Sequence, residues 1–186
     1  MKNISAIILA AGSGKRIGTP KLKLKIDGKY FVNVIIKKLL SADIKNISVV
    51  IREDYYEWCL ENVPGTLFIL NKEPEMGMIH SVKLGVMNAV KSDAIIIFPV
   101  DHPYVEISTI EKLLKSFEEN PDSIIKPDYQ NKSGHPLIIP ECYFKTILNS
   151  ELENLSAIIS SLNLLQIKVR VEDKAILKNV NYKSDL

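Results

Sequence analysis

Short, unbroken apolar runs separated by amphipathic stretches restrict most strongly how this chain can fold. Ile4–Leu9 (ISAIIL) and residues 94–98 (AIIIF) are β-branched runs without polar alternation, as expected of strands covered on both faces. Over residues 30–42, Phe31, Val34, Ile35 and Leu39 recur at helical spacing, with Lys37 and Lys38 on the wet side. Residues 47–51 and 67–70 read as further strands and residues 53–62 as a helix; Ile79, Val82, Val86 and Val90 mark one face of another helix. Ser108-x-x-Glu111 reads as a capping box ahead of the stripe Ile110, Leu113, Leu114, Phe117. Strands and helices therefore alternate, which predicts an α/β sandwich around a mainly parallel sheet. Past Asn120 the pattern loosens, with strands expected over residues 123–126, 136–139, 164–171 and 176–180 and helices over 141–148 and 155–162. No repeat or linker interrupts the chain, so residues 1–186 read as one domain.

Composition narrows the partners. The chain is 46% hydrophobic and 25% charged, and its 24 basic residues nearly balance 22 acidic ones. No large net field points to nucleic acid or to a membrane. The basic residues are nonetheless uneven: Lys15, Arg16, Lys21, Lys23, Lys25 and Lys29 fall close together, opposed only by Asp27. Such a run is either a solvated face or an anion site. Cys59 and Cys142 lie far apart without metal-ligand spacing; they suit a reducing compartment and are expected to pack as small apolar residues. Lys2 followed by ISAIILAA looks like a short signal peptide, but the run is only about eight residues long. Nothing elsewhere approaches the roughly eighteen apolar residues of a membrane span. A buried first strand and a cytoplasmic protein are expected.

The first strand ends in Gly12-Ser13-Gly14-Lys15-Arg16-Ile17-Gly18. In an open α/β sheet ligands bind beyond the carboxyl ends of the strands. Glycines there let several N–H groups converge on an anion, while Arg16 and Lys21 add fixed positive charge. Two familiar phosphate motifs fail. Gly18 is followed by Thr19-Pro20 rather than Lys-Ser/Thr, and Ile17 stands where a dinucleotide fingerprint needs glycine. On spacing alone, a tight turn under a helix remains the alternative.

The whole string LAAGSGKRIGTPKLKLKIDGK resembles the signature of the nucleotidyltransferases built like the molybdenum cofactor transferases, the MobA-like NTP transferase family. That signature reads LAAGxSxRMGxxKxLL followed by a short DGKP turn. Arg16 and Lys21 occupy the positions of its arginine and lysine; the departures are Gly14 at a serine-like position, Ile17 for Met and Lys23 in an apolar slot. The resemblance implies a three-layer α/β sandwich with a mainly parallel, Rossmann-like sheet of the nucleotide-diphospho-sugar transferase type. It also implies a loop that wraps a nucleoside triphosphate. On that basis Leu9, Ala10, Ala11, Gly12, Ser13, Gly14, Arg16 and Lys21 are expected at the nucleotide, with Arg16, Lys21 and Asp101 carrying catalysis.

Three other motifs extend the resemblance. Pro99-Val100-Asp101-His102-Pro103 closes the strand at 94–98. An aspartate there either holds Mg²⁺ together with phosphate oxygens or caps a turn; the resemblance favours the metal, and His102 reads as solvated or structural. Near the C-terminus Asn179-Val180-Asn181 stands where the family has Asp-Ile-Asp, so Asn181 would supply an amide oxygen as a second metal ligand with one negative charge fewer. Asn71 and the segment Met76-Gly77-Met78-Ile79-His80-Ser81 resemble the family's border to base and sugar. They put Asn71, Gly77 and Ser81 at the nucleotide, while Met76 and Met78 are alternatively core filler. Ser133-Gly134-His135-Pro136 resembles the GHP element with which the cytidylyl branch faces its acceptor. It assigns Gly134 and His135 to the acceptor, although a lone His is also commonly structural. The branch's following G-D-x-G-A element is replaced here by Ser-Glu-Leu-Glu-Asn-Leu-Ser.

The expected activity is transfer of a nucleoside monophosphate onto a phosphorylated acceptor with release of pyrophosphate. Residues up to about 120 would bind the nucleotide and the remainder the acceptor. Ala11, where guanylyl-transferring relatives have glycine, and the GHP element favour CTP. The resemblance implies molybdenum-bearing molybdopterin as acceptor, Mg²⁺ as cofactor and a recipient molybdoenzyme as partner. Two alternatives stay open: transfer to a sugar or alcohol phosphate, and a chaperone or sensor that binds nucleotide or cofactor without catalysis, suggested by Asn179 and Asn181.

Overall fold

The computed structural model describes residues 2–15, 17–89, 91–161, 163–182 and 185. In chain order they form β1 (Ile4–Leu9), β2 (Lys25–Ile26), β3 (Lys29–Tyr30), α1 (Phe31–Ser41), β4 (Asn46–Arg52), α2 (Tyr56–Asn62), β5 (Leu67–Asn71) and α3 (Gly77–Asn88). There follow β6 (Ala94–Pro99), α4 (Ile107–Glu119), β7 (Ile124–Tyr129), β8 (Lys132–Ser133), β9 (Leu137–Pro140), α5 (Phe144–Asn149), α6 (Leu155–Ser161) and β10 (Gln166–Arg170). The central sheet runs β10-β7-β9-β6-β1-β4-β5, with β8 added on β7. β6, β1, β4 and β5 are parallel neighbours, as are β7 and β10; β9 alone on this path runs antiparallel, between β6 and β7. This is the expected Rossmann-like architecture.

Why it is three-layered follows from the alternation within each strand. Ala6 and Ile8 of β1 face one apolar cluster with Phe31, Ile35 and Leu39 of α1 and Ile110, Leu113 and Phe117 of α4. Ile7 and Leu9 face the other, with Ile79, Val82 and Val86 of α3 and Ile158 and Ile159 of α6. A strand buried on both sides has no place for polar residues, hence the continuous run in β6, all of it buried. No helix of the described residues is long and apolar enough to cross a membrane.

Several local expectations are corrected. Ser108 is not a cap: α4 starts at Ile107 after Glu106, and Ser108 Oγ donates to Glu106 Oε2 at 3.1 Å. The Asp173 carboxylate serves that helix end instead, accepting from Glu106 N–H at 2.8 Å and from the Thr109 hydroxyl at 2.9 Å. The strand expected over residues 176–180 is a 3₁₀ turn, Lys174–Leu177, followed by coil, because Asp173 also caps it through Ala175 N–H. Residues 53–55 form a 3₁₀ turn ahead of α2. Cys59 is buried as expected, whereas Cys142 is exposed. Met76 and Met78 are not core filler, being 61% and 57% exposed.

Candidate active site

The chain order places the site. From β1 the strands step outward through β4 to β5, and then β6 returns to the other flank of β1. The carboxyl ends of β1 and β6 therefore border the point where strand order reverses, where such sheets bind ligands. Val100 N–H bonds the Leu9 carbonyl at 3.1 Å, which holds the two strand ends together as they open into their loops.

The loop after β1 is anchored by what it buries. Ala10 continues the ladder through its N–H to the Val50 carbonyl and packs into the core, and Ile17 is buried beneath the loop. Gly14 turns the chain at φ +63°, and its carbonyl accepts from the N–H of Ile17 and of Gly18. A Cβ on Gly14 would stand 2.0 Å from the Thr19 carbonyl oxygen, so only glycine fits. The N–H groups of Gly12, Ser13 and Gly14 bond no acceptor among the described residues. Such a loop can accept an anion without giving up a bond. Arg16 lies outside the described residues.

Pro20 then opens a 3₁₀ turn, Lys21–Lys23, pinned by the buried Leu22. From it Lys21 crosses the sheet edge. Its Nζ donates to Asp101 Oδ2 at 2.6 Å and to Asn181 Oδ1 at 2.7 Å. The sequence spacing gives no hint of this meeting, since Lys21 and Asn181 are 160 residues apart. Of the basic run, Lys23 lies over the Tyr55 and Trp58 rings and Lys25 over the Tyr30 ring, whereas Lys15 and Lys21 line the depression beside Asn181.

Asp101 follows β6, and its carbonyl accepts from Val180 N–H at 2.9 Å, tying the C-terminal segment to it. Asp185 Oδ2 accepts from the N–H of both Asn181 and Tyr182 at 2.8 Å. These bonds hold its carboxyl below the ordinary carboxylate range and aim the Asn181 amide. Two oxygens, one charged and one neutral, thus converge on a single cationic atom. Among the described residues no group of three or more His, Cys, Asp or Glu is arranged to hold a metal. A two-oxygen cradle suits a hard divalent cation that takes its remaining ligands from phosphate and water, and the Lys21 ammonium marks the position of positive charge.

A cavity of about 190 Å³ opens beside this cluster, lined among others by Ala11, Gly12, Lys21, Gly77, Ser81 and Asp101. The structure thus brings most of the expected nucleotide residues together. Asn71 does not line the cavity: it is buried behind it, donating to Ser81 Oγ at 2.9 Å and accepting from Glu73 N–H at 2.9 Å. Its place is to hold Ser81 and the turn that leads into α3. Ser13, Gly14, Lys21 and Asn181 line an adjoining, more open depression.

His102 is buried, its Nε2 3.9 Å from Asp101 Oδ1, and burial holds its pKa below the ordinary imidazole value. Its ring meets that of His135 at a centroid distance of 5.1 Å. Burial, then the neighbouring His102, pushes His135 down to about 4. His135 and the adjoining Gly134 therefore lie at the Asp101 edge of the sheet. They also line a second cavity of about 250 Å³ on the α3–α6 side of the sheet, which shares Leu9 and Met78 with the first. Lys126 and residues 154–156 line it too. Part of the segment that replaces G-D-x-G-A thus lines the same cavity as Gly134 and His135. Lys126 and Asp185 were missed by sequence reasoning: Lys126 reads as an ordinary strand lysine, and Asp185 as one more charge near the C-terminus.

A family model described as MobA-like NTP transferase domain matches residues 6–165. The 2-C-methyl-D-erythritol 4-phosphate cytidylyltransferase of Dictyoglomus thermophilum is 33% identical over 67% of this chain and 56% of its own length. A probable molybdenum cofactor guanylyltransferase of Methanocaldococcus jannaschii is 31% identical over 96% of this chain and 94% of its own length. Two of the curated relatives are longer proteins, of which the chain spans only 31% and 56%. Among solved structures, a nucleotidyl transferase from Methanothermobacter thermautotroptrophicus superposes with a TM-score of 0.82 at 22% identity, covering 98% of this chain and 93% of that one.

Proposed function

The chain belongs to the MobA-like NTP transferase family, and we propose that it moves CMP from CTP onto a phosphorylated acceptor, molybdenum-bearing molybdopterin, releasing pyrophosphate. The observation that carries this is the convergence of Asp101 Oδ2 and Asn181 Oδ1 on Lys21 Nζ, beside a loop in which the N–H groups of Gly12, Ser13 and Gly14 bond no acceptor among the described residues. Ala11 in the cavity wall and Gly134-His135 beside it support CTP. A relative named a cytidylyltransferase and another named a guanylyltransferase make nucleotide choice the first thing to measure.

In this reading the acceptor's terminal phosphate is already an anionic nucleophile, so no general base is needed, only in-line placement. Its oxygen forms a bond to the α-phosphorus as the bond to the bridging oxygen breaks and pyrophosphate departs. The N–H groups of Gly12, Ser13 and Gly14 hold the triphosphate, and Lys21, with Arg16, neutralises charge on the leaving group. Asp101 and Asn181 are the residues that would hold Mg²⁺, which supplies charge neutralisation at the attacked phosphate. His135, uncharged above about pH 4, and Gly134 border the acceptor without titrating near neutrality.

Pyrophosphate release from CTP, GTP and ATP with Mg²⁺ and molybdopterin tests the proposal. CTP is expected to give turnover and the largest rise in melting temperature, since a ligand that binds only the folded state stabilises it. Asp101→Ala is expected to abolish turnover with the fold intact; persistent release from CTP in that variant would remove the metal assignment. A sugar or alcohol phosphate is the second reading, favoured by the Dictyoglomus relative's named substrate. Turnover with a sugar or alcohol phosphate in place of molybdopterin, under the same conditions, would establish that second reading.

A further inference from the structure

The cavity on the α3–α6 side contains one cationic side chain with nothing to neutralise it. Lys126 follows Ile124 on that face of β7, and the walls around it are Leu9, Val82, Ile97, Leu137 and Ile159, with no Asp or Glu among the lining residues. Lys126 makes no hydrogen bond or ion pair with any of the described residues. The charged group that acts on it is another cation, Lys168, its register partner on β10. Burial and that neighbour together hold its pKa below the ordinary lysine value. His135, the other titratable group at the cavity, is neutral above about pH 4 and cancels nothing. A half-buried ammonium left in this state costs stability, and Ser133 and Asn154 at the rim offer further polar contacts but no charge.

Position adds the second part. Leu9 and Met78 belong to both cavities, so the apolar chamber opens into the donor cleft at one end and carries Lys126 towards the other. β9 lies between β6, which ends near Asp101, and β7, which carries Lys126. Two strand spacings amount to roughly 10 Å across the sheet, and the register sets Lys126 near the level of Ile97, short of the end of β6 that Asp101 follows, so Lys126 and Asp101 would meet different groups of one ligand.

We propose that Lys126 receives an anionic group of the acceptor distinct from the phosphate that reacts, and that the acceptor is an elongated molecule with an apolar or aromatic body. The inference rests on reading this side as the acceptor half of a nucleotidyltransferase. Its recognition part nevertheless stands on the cavity alone and can be tested apart from turnover. The probe is 8-anilinonaphthalene-1-sulfonate, an aromatic body bearing one anion, against its neutral counterpart N-phenyl-1-naphthylamine. The wild-type chain is expected to bind the sulfonate more tightly. Lys126→Met should weaken the sulfonate roughly tenfold, leave the neutral probe unchanged, and leave or raise the melting temperature, since it removes an unpaired charge. Lys126→Arg should retain the sulfonate, and Ser156→Trp at the rim should weaken both probes. Equal affinity for the two probes in the wild type, or a sulfonate affinity indifferent to Lys126→Met, overturns the inference. If the probes behave as expected but no nucleotide is turned over with any acceptor, the anion-recognising cavity stands and the transferase reading fails. With molybdopterin as acceptor, Lys126→Met should raise the acceptor KM roughly tenfold and leave the CTP KM unchanged.

Discussion

Gly134→Ala measures how tightly the turn before β9 is held against the C-terminal segment. A Cβ at this position would stand 2.2 Å from the Ile176 carbonyl oxygen and 2.6 Å from its carbon. An ordinary carbon–oxygen approach is about 3.3 Å, so the two backbones must part by roughly 1 Å. They cannot do so freely, because the same Ile176 oxygen accepts from His135 N–H at 3.1 Å. Overpacking of this kind costs about 1–3 kcal/mol, and losing that hydrogen bond adds about 0.5–1.5 kcal/mol. A total of roughly 2–4 kcal/mol corresponds to a fall in melting temperature of roughly 4–16 °C for a chain of this size. The displaced segment also carries Val180, bonded to Asp101, and Asn181 beside Lys21. Melting followed by circular dichroism, with and without Mg²⁺ and CTP, reads both effects: lower stability and a smaller nucleotide-dependent rise. A Gly134→Ala protein that melts within about 1 °C of wild type would refute the close approach on which the geometry of this edge depends.

Three further outcomes follow from the same geometry. Gly14→Ala, with its Cβ 2.0 Å from the Thr19 oxygen at positive φ, should lower both the melting temperature and CTP affinity. Gly12→Ala, where a Cβ meets nothing within 4 Å, should leave stability unchanged and weaken CTP by placing a methyl in the cavity; equal melting temperatures for the two variants would contradict the loop geometry. His135 is depressed from 6.5 to about 4, so as pH falls the unfolded chain takes up a proton first. Its contribution is present above pH 6.5 and is lost as pH falls towards 4. Melting temperature should therefore drop across that window less steeply in His135→Gln than in wild type, and identical slopes would show that His135 is not held neutral by burial.

Local patterns carried most of the fold and half of the site. β1 and β6 were readable because a strand buried on both faces leaves a continuous apolar run, whatever lies elsewhere in the chain; β4 and β5 carry short apolar runs of their own, although Leu67 of the edge strand β5 is exposed. The loop was readable because Gly14 and Gly18 answer to local backbone demands. The failures share a different cause. Ser108 looked like a helix cap, but Asp173, far along the chain, took that end of α4. Ile176 and Val180 are buried as apolar residues should be, yet their N–H groups bond the main-chain carbonyls of Asp173 and Asp101 rather than a neighbouring strand. Where a tertiary partner satisfies the backbone, propensity alone misassigns the element.

The antiparallel strand β9 explains why the chain's regular pattern breaks exactly once in the main sheet's path. A strand parallel to β1 and β6 begins at the opposite edge of the sheet and reaches the edge where they end only at its own carboxyl end. An antiparallel strand begins there. With Ile97 in register with Leu137 and Ala94 with Pro140, the residues preceding β9 reach the same edge as Asp101. The 5.1 Å separation of the His102 and His135 rings is the consequence. One reversed strand thus brings Gly134 and His135 to the carboxyl ends of β1 and β6 without a long connection. β7 then runs beside β9 and sets Lys126 two strands from β6. Leu9 and Met78 line both cavities, so the cavity that holds Gly134, His135 and Lys126 adjoins the one beside Asp101 at this sheet edge.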